Sequence, residues 1–554
     1  MSSASAFTRK HTAYWRNGFR LLRQQSRFKV IFILGFAVFF EVGLWLLFHE
    51  GFRFLDSFGG VASMVTGRLF SLFFLGMGMM LVMSSCVTAY ATLFRSEEVP
   101  FLLVRPVPVS HIVLQKYYET MWLSSWAFFF VIIPFVGAYA WHERMSPFFA
   151  LWTLCFAVPF LLICSGIGVV LNMVVVRCLP RVRTLKIAMA LACVCLIAWC
   201  FTLTKGVIGT DEQQFSMSGL IPGMTLAANR LLPSTWLAEG ILSLSRGQWG
   251  RGLMFLGVLV STSMLAIMIV EWLGRASFYA AWQRSEVGSA REKRQTRGFE
   301  TGDALLRWLP NDIRAMIMKD VRTFFRDPMQ WSQALVFFGL LGIYFANLRN
   351  FNYHSFGPQW QNLITFLNVF SVSAVVCSLG SRFVYPQLSM EGQGFWILGL
   401  APTSMKRILL CKFGLALAWA LTISVALILL SSMMLGAAPM LRVVSVAVTA
   451  CVAIAVASFS TGLGAIFIDL RQRNPAAIVG GFGGTLNLVF GLVFMLLTIL
   501  PFAAALHLYH GEFVGPETLL PMMWGCGVWL VVLTAVSSTV VLSLGLKSLE
   551  GREY

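Results

Sequence analysis

The chain has 554 residues, of which 58% are hydrophobic and only 12% are charged. This composition excludes an ordinary soluble globular protein, because apolar runs long enough to cross a bilayer core recur along the whole sequence. The formal net charge of +18 is dispersed over many short segments between these runs, which favours contact with lipid headgroups over a nucleic-acid-binding face. We therefore predict an integral membrane protein without a nucleic-acid partner.

Twelve apolar runs predict twelve transmembrane helices. Helices are expected because an open sheet edge is not satisfied in lipid and the runs are too long for barrel strands. The first run is too long for a signal peptide and is predicted to be an uncleaved span. The predicted spans cover residues 30–48, 68–93, 118–141, 148–176, 185–205, 252–273, 331–348, 362–385, 411–436, 441–468, 477–506 and 519–545. The expected fold is an all-α polytopic membrane protein.

The distribution of Lys and Arg predicts the orientation of these spans. Loops that stay in the cytoplasm carry an excess of both residues. With the N-terminus inside, the inner segments contain 33 of the 42 Lys and Arg residues, and the outer segments contain nine. We expect a multi-pass protein of a bacterial inner membrane with both termini in the cytoplasm.

A motif that occurs in two inner loops indicates an internal repeat. Its members are Glu97, Phe101, Pro108 and Ser110 in the first loop and Glu391, Phe395, Pro402 and Ser404 in the second. Lys116 and Lys412 follow, and Gly166-Ile167-Gly168 corresponds to Gly462-Leu463-Gly464. Six spans per half make the two halves parallel repeats. We predict a first half at residues 1–275, a cytoplasmic linker at 276–310 and a second half at 311–554.

The repeated loop has an acidic start, an apolar middle, a Pro and Ser stop, and a Lys at the head of the next span. These features predict a short interfacial helix that ends where Pro cannot continue it, followed by a helix with a Ser cap. The segment is therefore a candidate docking surface for a partner protein. A simple connector lying among the headgroups is the alternative.

The order Glu-x-x-x-Phe, Pro-x-Ser and Lys resembles the loop between the second and third spans of ABC-2-type exporter permeases. In that family the loop forms a coupling helix that docks on an ATPase subunit. The resemblance implies that Glu97, Phe101, Pro108, Ser110 and Lys116 belong to one ATPase-docking element, and that Glu391, Phe395, Pro402, Ser404 and Lys412 belong to the other.

Two further segments agree with this family. The basic stretch from Met318 to Pro328 resembles the amphipathic elbow helix at the start of such permeases, with Trp15 to Phe28 as its first-half counterpart. The glycine-rich stretch from Arg471 to Gly484 resembles the start of the family's fifth span. Family permeases are usually six-span dimers, so the chain resembles ABC exporters with two fused halves of the ABC-2, type V-like, kind.

The source of energy must lie on another polypeptide. The chain contains no Walker A sequence, G-x-x-x-x-G-K-[ST], and no soluble stretch long enough for a nucleotide-binding domain. We expect two copies of a separate ABC ATPase, with ATP and Mg bound there and no cofactor bound by this chain. The chain itself is predicted to be a transport permease and not an enzyme, without catalytic residues.

Three other features suggest local roles. Glu41 lies inside the first span, where charge is costly. It is part of a substrate pathway, a structural partner of a cationic residue near the outer side such as Arg68, or a residue that snorkels to the interface. The outer segment 206–251 resembles the external re-entrant or interfacial helices of the same family, which implies such a helix here. His507, His510 and Glu512 are too few to predict a metal site.

The main alternative function is a secondary transporter, since twelve spans in two parallel halves also describe that architecture. Ion coupling normally requires ionisable residues near the midplane, and these are almost absent. A membrane scaffold or an ATPase-linked sensor is a third possibility. An interior rich in Phe, Leu, Met and Trp would suit an amphipathic or lipid-like substrate, although the same residues also pack against lipid.

Overall fold

The computed structural model of the protein divides into two compact units, unit 1 (Met1–Gln295) and unit 2 (Thr296–Tyr554). All regular secondary structure in the described residues is helical. The described residues are 16, 27–56, 62–94, 96, 98–146, 148–178, 229, 231–291, 306–307, 309–326, 358–400, 402–471, 475–510 and 515–551.

The described residues of unit 1 form long helices that follow the apolar runs and two shorter helices. In chain order they are α1 (Arg27–Asp56), α2 (Ala62–Ala89), α3 (Glu98–Leu103), α4 (Val109–His142), α5 (Phe148–Cys178), α6 (Pro233–Ser245) and α7 (Trp249–Arg291). A π-helical turn, Tyr90–Phe94, extends α2. The core lies where α5 packs against α2 and α7.

The short helix α6 lies within the outer segment that was predicted to hold a re-entrant or interfacial helix. It packs against α2, α5 and α7. The side chains of Leu237, Ala238 and Ile241 are buried, and Gly240 lies directly against the ring of Phe156. This helix therefore enters the bundle and contributes to its core.

The described part of unit 2 also consists mainly of long apolar helices. Its helices are α8 (Asn311–Arg326), α9 (Pro358–Leu379), α10 (Phe395–Leu400), α11 (Met405–Leu435), α12 (Pro439–Ile466), α13 (Pro475–Val479), α14 (Phe482–His510) and α15 (Pro516–Glu550). A π-helical turn, Gly380–Val384, and two 3-10 turns connect α9 to α10. The core forms where α12 packs against α9, α11, α14 and α15.

Ten helices of the described residues are long and apolar enough to cross a membrane. They coincide with ten of the twelve predicted spans. The predicted spans at 185–205 and 331–348 lie outside the described residues, so the total of twelve stays a prediction. The described part of the predicted elbow segment of the second half, residues 318–326, is helical as part of α8, whereas most of its first-half counterpart lies outside the described residues.

One helix extends well beyond its predicted end. The span predicted at 252–273 belongs to α7, which continues to Arg291 and so passes the predicted boundary between residues 275 and 276. Hydropathy detects only the apolar part of a helix, and residues 275–287 contain no Gly or Pro that would end it. Phe278 and Ala281 are buried in the core of unit 1, so the first part of the predicted linker packs with that unit.

The paired glycines of α5 allow close helix packing in unit 1. A Cβ atom on Gly166 would lie 3.2 Å from the Cβ of Ala266 on α7. A Cβ atom on Gly168 would lie 2.7 Å from the carbonyl oxygen of Val82 on α2. Small residues let membrane helices approach this closely, and this pair places α5 between α7 and α2.

The paired glycines of α12 make corresponding contacts in unit 2. A Cβ atom on Gly462 would lie 2.6 Å from the carbonyl oxygen of Val541 on α15. A Cβ atom on Gly464 would lie 2.6 Å from the carbonyl oxygen of Tyr385, just after the π turn that follows α9. In both units the first glycine therefore faces the last long helix, and the second faces the helix or turn that leads into the repeated loop.

Candidate functional site

Each unit has a short loop helix followed by a long helix that carries a buried lysine. We call residues 95–108 the first loop and residues 385–404 the second loop; they contain α3 and α10 respectively. Both loops follow a π-helical turn, a conformation that is rare and is frequent at functional sites. The predicted short helices in these loops are therefore present, and each ends before a Pro.

In unit 1 the buried cation is Lys116, whose side chain is 1% exposed. Its Nζ donates to Glu98 Oε2 at 2.9 Å and to Glu119 Oε2 at 2.8 Å. The same Nζ also lies 3.4 Å from Ser96 Oγ. Glu98 begins α3, whereas Lys116 and Glu119 lie one helical turn apart on α4. The lysine thus ties the first loop to the head of α4.

In unit 2 the buried cation is Lys412, whose side chain is 3% exposed. Its Nζ lies 2.7 Å from Glu391 Oε1 and 2.9 Å from Asp320 Oδ2. Lys319 donates to the same Glu391 carboxylate and lies 3.5 Å from Asp320. Two cations and two carboxylates therefore form one neutral cluster that joins the second loop, α8 and α11.

A second ion pair holds α8 on α11. Arg407 Nε lies 3.1 Å from Asp312 Oδ2, one turn before the buried lysine of α11. The Cys411 thiol also faces the backbone carbonyl of Ile313 at 3.9 Å. The amphipathic helix α8 is thus fixed to the same helix that carries Lys412.

The sequence motif identified both lysines but only one of their carboxylate partners, Glu391. The predicted first-loop carboxylate, Glu97, lies outside the described residues, and its neighbour Glu98 contacts Lys116. Asp320 was part of the predicted elbow segment but was not predicted as a site residue. A signal was available, because a lysine on an apolar helix face requires an anionic partner when it is buried.

Phe101 and Phe395 align in the motif but occupy different environments. Phe395 is 1% exposed and packs in the core beneath α10 with Leu388 and Leu409. Phe101 is 60% exposed, because in the first loop Val99 fills the buried position. The side chain of Phe395 therefore supports its loop from below, while that of Phe101 lies on the surface.

Both loop helices present apolar side chains to their surroundings. The exposed side chains are Phe101 and Val104 in the first loop, and Trp396, Ile397 and Leu400 in the second. Arg105 lies over the ring of Phe101, with its guanidinium carbon 4.8 Å from the ring centre. Each loop therefore combines a surface of exposed apolar groups with a buried ionic attachment.

The predicted serine cap is present in only one unit. Ser404 precedes α11, and its side chain accepts a hydrogen bond from the backbone N–H of Arg407. In unit 1 the cap position of α4 is Pro108, and Ser110 is a buried residue inside the helix. The cap prediction for Ser110 was wrong because α4 begins earlier, directly after Pro108, whose own φ suits that position. Pro402 lies on the surface between α10 and α11.

Glu41 lies in α1, and no ion pair joins it to Arg68 within the residues that the structure describes. Along the helix axis Glu41 lies about 22 Å from the end of α1, whereas Arg68 lies about 9 Å from the start of α2. The predicted alternative role in a substrate pathway stays a prediction.

Comparison with known proteins identifies the family. A family model described as "Putative ATP-binding cassette" matches residues 22–551. No curated protein and no solved structure matches the chain. The match spans both units, including both loops and both buried lysines. Together with the ten long apolar helices, it shows that the chain belongs to this ATP-binding cassette transporter family as a membrane protein.

Proposed function

We propose that the chain is the permease subunit of an ATP-binding cassette exporter and that separate ATPase subunits dock on its two loops. The observation that carries this proposal is the combination found in each unit. An exposed apolar short helix is suited to contact another protein, while a buried lysine fixes the same loop to a membrane-spanning helix. Family membership supports an ATPase partner.

The ionic clusters provide a path by which ATPase movement reaches the membrane. A displacement of α10 acts on Glu391 and through it on Lys412, which lies inside α11. Asp320 extends the connection to α8. Because buried ion pairs resist separation, the loop, α8 and α11 move as one body when the ATPase subunits close.

We further propose that the two units are repeated permease halves, each with one docking element for one of two ATPase copies. Corresponding glycine contacts, a π-helical turn before each loop and a buried lysine after it support this interpretation. The distribution of Lys and Arg supports a cytoplasmic position for both loops and both termini. ATP and Mg then bind the partner, and the permease itself performs no hydrolysis.

Affinity purification from the native membrane tests the proposal. We expect a protein that carries a Walker A sequence to co-purify with the full chain in a mild detergent. Trp396→Ala should lower its yield severalfold without lowering the thermal stability of the chain, since Trp396 is exposed. Trp524→Ala on α15 is the matched control, because Trp524 is also exposed but lies far from the loop along its helix.

Two outcomes would contradict this function. One is purification of the chain without any ATPase under conditions that preserve other transporter complexes. The other is equal recovery of the ATPase with the Trp396→Ala and Trp524→Ala variants, combined with transport that persists after ATP depletion and follows a proton gradient. The second result would favour a secondary transporter.

A further inference from the structure

A cavity of about 370 Å³ lies in unit 1 where α1 and α4 end. On α4, His142 follows Lys116 by 26 residues, which corresponds to about 39 Å along the axis. The cavity is therefore at the end of the unit opposite the first loop, and the coupling function does not use it. Its lining residues are His49, Arg53, Asp56, Trp141, His142 and Arg144.

Positively charged groups outnumber the carboxylates that line this cavity. Asp56 is already engaged, because its Oδ2 lies 2.8 Å from His142 Nε2. Arg53 contacts Glu50 outside the lining, with 3.0 Å between Nη1 and Oε1. Arg144 forms no ion pair with any residue in the described part of the chain. Its guanidinium is exposed and is available to an anion.

The backbone at Arg144 is unusual. Its φ is +51°, and no other non-glycine residue of the described segments has a positive φ. The position follows the end of α4, where the N–H of Met145 bonds to the carbonyl of Ala140 at 2.8 Å. Glycine is strongly favoured at such a helix end, since a side chain there costs free energy. Strained residues concentrate at ligand-binding positions, which makes Arg144 a candidate ligand-binding residue.

His49 is another lining residue of the same cavity, and it has an unsatisfied buried atom. Its ring stacks on Trp45 with 5.1 Å between centres, which fixes its orientation. Its Nδ1 is buried and has no hydrogen-bond partner among the described residues. Buried polar atoms without a partner are uncommon in native proteins. Basic residues near helix C-termini are common. That preference explains neither the unpartnered Nδ1 of His49 nor the positive φ of Arg144.

We propose that this cavity binds the phosphate group of an anionic amphiphile. Arginine recognises phosphate through paired, charge-assisted hydrogen bonds, and both Arg53 and Arg144 reach the cavity. Trp141 is 70% exposed beside it, and exposed tryptophan at the end of a membrane helix lies at the level of lipid headgroups. The cavity thus offers donors for a phosphate next to an aromatic surface for the attached chain. This site is separate from both ATPase-docking loops and does not depend on their function.

Native mass spectrometry of the full chain in detergent tests this site with three probes: phosphatidylglycerol, diacylglycerol with the same acyl chains, and inorganic phosphate. We expect saturable binding of phosphatidylglycerol and about tenfold weaker binding of diacylglycerol, which lacks the phosphate. The double variant R53Q/R144Q should lose about tenfold in phosphatidylglycerol affinity. Arg251→Gln, which removes an exposed arginine of α7 outside the cavity, should leave it unchanged.

A second variant distinguishes loss of binding from misfolding. Arg144→Gly removes the guanidinium but suits a positive φ, so it should fold at least as well as the natural chain while still binding phosphatidylglycerol severalfold more weakly. If inorganic phosphate competes with phosphatidylglycerol, the free anion is also a ligand. If it does not compete, the site is assigned to a lipid headgroup. Either result supports phosphate recognition. Equal binding of phosphatidylglycerol and diacylglycerol, or unchanged affinity in both arginine variants, would overturn the proposal.

Discussion

Replacing Lys412 with methionine tests whether the ionic cluster of unit 2 holds the second loop in place. Methionine keeps most of the volume of the lysine stem but removes its charge. The variant leaves Asp320 and Glu391 near each other without the ammonium that lies between them. Both carboxylates are poorly exposed, at 10% and 16%. The variant is therefore expected to destabilise unit 2.

The size of the stability loss depends on how exposed the carboxylate partners of the removed lysine are. Removing one member of a buried ion pair costs about 3–5 kcal/mol of unfolding free energy. Lys319 still contacts Glu391, but its side chain is 41% exposed, so it offsets only part of this cost. We therefore expect Lys412→Met to lose about 3 kcal/mol of unfolding free energy. Lys116→Met is the comparison. Its partners Glu98 and Glu119 are 47% and 34% exposed and remain hydrated, so the loss should be only about 1 kcal/mol.

Reversible unfolding of the purified chain in mixed micelles, followed by circular dichroism, measures both losses. Neutralising the carboxylates with Asp320→Asn and Glu391→Gln in the Lys412→Met background should recover at least about 1 kcal/mol, because the uncompensated charges are then gone. Two results would refute the reasoning. The first is a loss for Lys116→Met as large as that for Lys412→Met, and the second is a triple variant no more stable than Lys412→Met alone.

Two other predictions concern helix starts and helix packing. Ser404→Ala should lower the free energy of unfolding by about 1 kcal/mol because it removes the cap of α11. Ser110→Ala is the control, since it removes no cap bond. Thermal melting in detergent compares the two variants, and equal losses would contradict the assignment of Ser404 as the cap. Gly464→Ala places a methyl group 2.6 Å from a backbone carbonyl oxygen, so we expect a loss of about 1–3 kcal/mol. Gly414→Ala is the control, because nothing lies within 4 Å of the new atom. An unchanged stability of Gly464→Ala would show that α12 and the turn at Tyr385 separate freely.

Much of the local architecture follows from the sequence. Apolar runs determine where ten long helices lie, since only a satisfied helical backbone is stable in lipid. The repeated loops were predicted as short helices that end before Pro, and both are present. Lys116 and Lys412 were predicted at the heads of the following helices. These features depend on residues within a few turns of each other, so a linear pattern is enough to find them.

Contacts between distant segments decide the rest. Asp320 and Lys412 are 92 positions apart, and no local pattern pairs them. Phe101 and Phe395 share a motif position, yet only Phe395 is buried, because the second loop turns its first helical residue into the core whereas the first loop uses Val99 there. The basic cavity at the ends of α1 and α4 likewise exists only after both helices have packed. Hydropathy and motif spacing report local preference, whereas burial and ion pairing depend on which helices the tertiary fold brings together.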